Sequence, residues 1–298
     1  MQNLYTHKDS NIRKTWLLII VFLALVIAVG FILSYVFQEP VILYIAIALS
    51  LVMNGFAYWN SDKVALSLSG AKPASAEHLI SLHRLVENLA ITAGLPKPRI
   101  YIIPGDQINA FATGRDPKHS AIAVTLGALQ KLDKNELEGV LAHELAHIGN
   151  RDILISSVAV VLAGLIAIVS DIFLRVSIRS SFGDNDSRGN VVFLALSVVG
   201  IILAPIAATL IQLAISRKRE FLADATGVLL TRYPQGLASA LEKISHDQGQ
   251  LLKTNNATAH LYIANPFKGK KSRGWLARLF ATHPPVEERI AALRGLKL

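Results

Sequence analysis

Residues 135–155 read Asn-Glu-Leu-Glu-Gly-Val-Leu-Ala-His-Glu-Leu-Ala-His-Ile-Gly-Asn-Arg-Asp-Ile-Leu-Ile, and this stretch decides the fold. His143 and His147 are four residues apart on an expected helix, so both imidazoles leave one face, one turn apart. Two nitrogens placed in this way can share one tetrahedral zinc ion. Glu144, between them, can reach a water beside the metal without ligating it, as a general base must. Leu141, Ala142, Leu145, Ala146 and Ile148 are apolar or small, so the helix reads as buried. Three polar side chains in such a helix cost free energy unless a metal or partner satisfies them. The plainer alternative is a pair of surface histidines on an ordinary amphipathic helix. Upstream, Asp133-Lys134-Asn135-Glu136 has the spacing of a capping box. Downstream, a long apolar run starts at Ile153, with no linker between.

That run is one of four. Thr15–Phe37, Val41–Trp59, Ile153–Leu174 and Val191–Ile215 carry one charged residue between them, Asp171, and each is near the length needed to cross a hydrocarbon core. The first is too long for a signal-peptide core and reads as an anchor. Gln38-Glu39-Pro40 is too short a break to hold a domain, so runs one and two form a hairpin, with Pro40 in the first turn of the second helix. Over the whole 298-residue chain, apolar residues are 52% and charged residues 17%, the latter below the soluble average of about a quarter. Mean hydropathy is +0.43. Net charge is +9, but the basic residues gather beside the apolar runs, where a chain meets anionic headgroups. A lipid bilayer, and no nucleic acid, is therefore the expected partner. The absence of cysteine excludes disulfides and thiolate ligands, which leaves histidine and carboxylate to hold any metal.

Lys8, Arg13 and Lys14 precede the first run, the hairpin turn has no Lys or Arg, and Arg217, Lys218 and Arg219 follow the fourth. By the positive-inside rule, both termini and the region between runs two and three face the cytoplasm. Arg175, Arg179 and Arg188, between runs three and four, dissent from this. Four segments follow: a membrane hairpin over 1–59, a first soluble part over 60–152, a second hairpin over 153–215 and a second soluble part over 216–298. In the first soluble part, Ala76–Ala93 has helical spacing, and Arg99–Ile103, Ile108–Thr113 and Ser120–Thr125 read as strands. The fold class is mainly α with a small β-sheet. Lys268–Arg273 is a basic cluster beside Trp275, either a solvated loop or a segment resting on lipid.

A third ligand must come from outside the motif, since positions 150 and 154 are Asn and Leu. Glu220, in Arg219-Glu220-Phe221-Leu222-Ala223-Asp224, is the best candidate, with Asp224 spaced to share its helix face and to accept a bond from a ligand imidazole. Taken alone, such a pair is more often a solvated helix face. His7, His78, His83, His119, His246 and His260 have no second ligand at useful spacing.

H-E-L-A-H, two apolar runs, then R-E-F-L-A-D-A-T-G, resembles the HtpX-type membrane zinc metallopeptidases, relatives of the CAAX prenyl endopeptidases. I-N-A-F-A-T-G before the motif and A-T-H-P-P-V-E-E-R-I near the end extend the resemblance over nearly the whole chain. It implies a zincin-like domain joined to about four membrane helices, with one Zn2+ per chain. His143, His147 and Glu220 would be ligands, Glu144 the base and Asp224 a support behind the ligands. Asn109, with Ala110 and Phe111, would lie on an edge strand that pairs with extended substrate, and His283 and Arg289 would steady the oxyanion. The implied activity is cleavage of misfolded or damaged membrane proteins at the cytoplasmic face of a bacterial inner membrane. A site-specific processing protease and a non-catalytic scaffold are the alternatives.

Overall fold

A computed structural model describes residues 4–162, 164–166, 217–252, 258–263 and 284–296. The fourth apolar run, the end of the third, the 175–190 loop, the 268–273 cluster and His283 lie outside the described residues.

Helices α1 (Leu4–Phe37) and α2 (Val41–Leu68) form the expected hairpin. Both outrun their apolar stretches, because neither Gly nor Pro interrupts Asn60-Ser61-Asp62-Lys63 or the turns before Thr15. Asp9–Phe37 and Val41–Leu68 are each long and apolar enough to cross a bilayer. Along them Trp16, Leu17, Ile20, Phe31, Tyr44, Ile45, Val52 and Phe56 stand exposed, a surface that water would not tolerate and lipid would. Trp16 stacks on Tyr58 at 6.5 Å and Tyr58 meets Trp59 edge-on at 5.4 Å, an aromatic group of the kind that marks a membrane–water boundary.

Past that level the last turns of α2 change role. Ala65 and Leu66 pack with Ile103, Phe111, Ala121, Ala123 and Tyr262 against a four-stranded sheet. Its strands are β1 (Lys72–Pro73), β2 (Arg99–Ile103), β3 (Ala110–Gly114) and β4 (Ser120–Thr125), in the order β1-β2-β4-β3. β2 and β4 are parallel and the other two pairs antiparallel, with Ala110 opposite Val124 and Gly114 opposite Ser120. Side chains alternate across the sheet: Ile122 and Val124 enter the main core, while Ala121 and Ala123 face α2.

The main core lies on the sheet's other face, between α3 (Ile80–Thr92), α4 (Leu126–Lys131), α5 (Lys134–Gly149) and three later helices. We number these α7 (Arg217–Thr231), α8 (Pro234–His246) and α9 (Val286–Arg294). The expected capping box opens α5: Asp133 accepts from Glu136 N, and the Glu136 carboxylate accepts from Asp133 N. At the far end Arg151 takes φ 62°, which stops α5 and turns the chain by 84° into α6 (Asp152–Ile166). Ile155, Val158 and Leu162 of α6 pack on Leu18 and Phe22 of α1 and Ala57 of α2. The described part of the third run is thus wedged against the hairpin.

Candidate metal centre

Two helices supply the site. On α5, His143 Nε2 and His147 Nε2 lie 3.1 Å apart. On α7, Glu220 and Asp224 are one turn apart, and Glu220 turns toward α5. Its Oε1 is 3.6 Å from His147 Nε2 and its Oε2 3.8 Å from His143 Nε2. Ligands at 2.0–2.1 Å around a tetrahedral zinc stand about 3.3 Å from one another, so these spacings fit such an ion. Glycine makes the approach possible. A Cβ on Gly227 would lie 3.0 Å from the His143 nitrogen, so a side chain there would push α7 off α5. Among the described residues, His143, His147 and Glu220 are the one group with metal-binding geometry.

Each imidazole is held from behind by a carboxylate. His143 Nδ1 meets Asp224 Oδ1 at 2.9 Å, and His147 Nδ1 meets Asp152 Oδ2 at 3.0 Å. Contacts of this kind set the tautomer, leaving Nε2 free for a metal. Arg289 of α9, completely enclosed, grips Asp224 with Nε to Oδ2 at 2.8 Å and Nη2 to Oδ1 at 2.6 Å. Among the described residues its Nη1 has no hydrogen-bond partner, and it lies 3.6 Å from Glu220 Oε2. Asp224 is held at a pKa of about 2: burial pushes it up, but the Arg289 charge and its hydrogen bonds outweigh that. His147 is raised to about 9, since the Asp152 bond and the charges of Glu220, Asp152 and Glu144 overcome its burial. That proton must leave before the ring can ligate.

Charge makes the same point. Glu144, Asp152, Glu220 and Asp224 are all buried, and so are Arg219 and Arg289. The four carboxylates outnumber the two guanidiniums, a surplus of anionic groups that suits a divalent cation once the His147 proton has left. The donor set of imidazole and carboxylate is one that zinc accepts.

Asn109 is buried, donates from its backbone to Thr125 Oγ1 (2.9 Å) and accepts from Ala110 N (3.1 Å). Ala110 begins the edge strand β3, but its carbonyl already accepts from Ile263 N at 3.0 Å. Phe111 points away from α5, edge-on to Tyr262 at 5.1 Å. Sequence reading missed Asp152 and gave Arg219 to the headgroups. Arg219 is instead buried, with Nε 3.7 Å from Asp152 Oδ1. A signal for Asp152 existed in its place five residues after His147, just past the helix stop.

A helix bearing H-E-x-x-H faced by a carboxylate from a second helix defines a class, the metallopeptidases. Residues 77–297 match peptidase family M48. Proteins named Protease HtpX homolog are 44% identical in Thermoanaerobacter pseudethanolicus, over 100% of this chain and 99% of that one, and 48% identical in Pyrococcus furiosus, over 96% of each. The crystal structure of S. mikatae Ste24p is similar over 89% of this chain and 62% of that one, at 19% identity and a TM-score of 0.49. The chain belongs to peptidase family M48; it is a metalloprotease, and the resemblance read from its motifs holds.

Proposed function

We propose that the chain is a zinc endopeptidase of the bacterial inner membrane that cuts misfolded or damaged membrane proteins on the cytoplasmic side. The observation that carries this is the convergence of His143, His147 and Glu220 beside Glu144, all in one rigid pair of helices. Zinc held there would supply Lewis-acid polarisation, lowering the pKa of water toward 7 and stabilising charge on the scissile carbonyl oxygen. Glu144 then acts as the base, taking the proton of the attacking water and passing it to the departing amine. Arg289 is the donor we assign to the developing oxyanion. Its Nη1 makes no hydrogen bond among the described residues, while Asp224 fixes the rest of the guanidinium. His283 would be the second donor. Substrate would pair with the β3 edge beyond Ala110, where main-chain bonds give affinity with little sequence demand.

Four membrane helices fit this reading, the second pair being runs three and four. The membrane substrate class is supported by the turn after β3, which lies beside the hairpin. Arg115, in the turn after β3, stacks over Trp59 at 4.6 Å, so the turn stands level with the aromatic group of the hairpin. Loops and tails of membrane proteins arrive at that level. Purified protein in detergent with zinc should cleave an unstructured polypeptide, and Glu144→Ala should abolish cleavage while keeping the metal. Equal cleavage by both proteins would remove the mechanism.

A further inference from the structure

Asn11 lies on α1, before the apolar part of that helix and 132 positions from His143. Its side chain is nevertheless 3% exposed, and its amide is fully engaged. Nδ2 donates to Asp152 Oδ1 at 2.7 Å and to the Asn150 carbonyl at 3.1 Å. Oδ1 accepts from Arg219 Nη1 at 3.3 Å. Asp152 is the carboxylate behind His147, and Arg219 immediately precedes Glu220. One amide therefore ties the corner after α5 to the start of α7.

We propose that Asn11 is a positioning residue of the metal centre, holding Asp152 against His147 so that the cytoplasmic end of the first membrane helix helps set metal affinity. The proposal rests on the reading of His143, His147 and Glu220 as ligands. The chemistry of the contacts supports it. Asn150 is the C-cap of α5, where the helix leaves carbonyls without intrahelical donors, and Asn11 donates to its carbonyl. The same amide donates to Asp152 Oδ1, which leaves Oδ2 to the His147 ring. A leucine of similar size offers neither donor nor acceptor. Asp152 would then be free to swing toward Arg219, and His147 would lose the fixed partner that orients its ring.

The test reads zinc affinity, with no need for cleavage. Full-length protein in detergent is titrated against a competing chelator as wild type, Asn11→Leu, Asp152→Ala, the double variant and Thr15→Val. Thr15 is buried one turn further along, and among the described residues its hydroxyl bonds to the Asn11 carbonyl, so it reports helix packing without touching Asp152. Asn11→Ser, which cannot overpack, runs beside Asn11→Leu. Both Asn11 variants should weaken zinc about tenfold, the lower end for partners behind a ligand. The double variant should bind within about twofold of Asp152→Ala, because Asn11 acts through that carboxylate. Thr15→Val should match wild type. Wild-type affinity in both Asn11 variants overturns the proposal. So do losses that multiply in the double variant, or a Thr15→Val loss as large as that of Asn11→Leu. If wild type itself binds no zinc, the metal reading fails and this proposal with it.

Discussion

At His147, the ring nitrogen turned from the metal position ends on Asp152, a contact that can be altered without altering shape. Asp152→Asn keeps the size but removes the charge that raises His147. Zinc affinity should fall about 10–100-fold by chelator competition; an unchanged affinity would mean that Asp152 does not support the ligand. This residue also shows the limit of reading sequence. His143, Glu144 and His147 were legible because one helical turn fixes their relation whatever the rest of the chain does. Glu220 with Asp224 was legible as a pair on one face, though its direction was not. Asp152 depends on the left-handed turn at Arg151, and Asn11 on packing across most of the chain; neither relation has a local signature.

Between elements, the site depends on how closely α7 lies on α5. Gly227→Val would force its side chain into the His143 backbone. Overpacking of this kind costs roughly 1–3 kcal/mol. A lower thermal midpoint together with lost zinc is therefore expected; wild-type values for both would show that the helices have room to spare. Strands β2 and β4 were found where β-branched runs placed them. β3 begins later than expected, at Ala110, because Gln107 to Asn109 are held by side-chain bonds to Thr125. The two-residue β1 has too little sequence to announce itself. The ends of α1 and α2 were misjudged because the reading followed hydropathy. A helix that leaves a membrane to join a soluble domain changes its composition without changing its backbone, as α2 does after Trp59.

On the scale of the whole molecule, the hairpin and the peptidase domain share helices, so orientation in the membrane fixes which side the metal faces. The chain has no cysteine, which makes single-cysteine reporters unambiguous. Glu39 in the hairpin turn and Ser75 beyond α2 are both exposed. In intact cells an impermeant maleimide should label Glu39→Cys, and Ser75→Cys only after lysis. The reverse pattern would put the site on the outer face. The loss of Arg219 as a headgroup contact does not undo this expectation, since Arg217 and Lys218 remain exposed after the fourth run. The hydrophobic runs made the hairpin readable in sequence, and the basic residues at their ends carry the expectation of its side. They did not show that the first membrane helix reaches the metal centre, because a hydropathy pattern holds no record of which helix meets which loop. The account as a whole turns on a carboxylate from α7 completing the ligands of α5. Zinc stoichiometry and affinity, measured on wild type beside Glu220→Ala, test that most directly. We expect one tightly held ion per wild-type chain and at least about a hundredfold weaker binding in the variant, as removing a ligand should cost more than removing its support. An alanine variant that holds zinc as tightly as wild type would contradict the account.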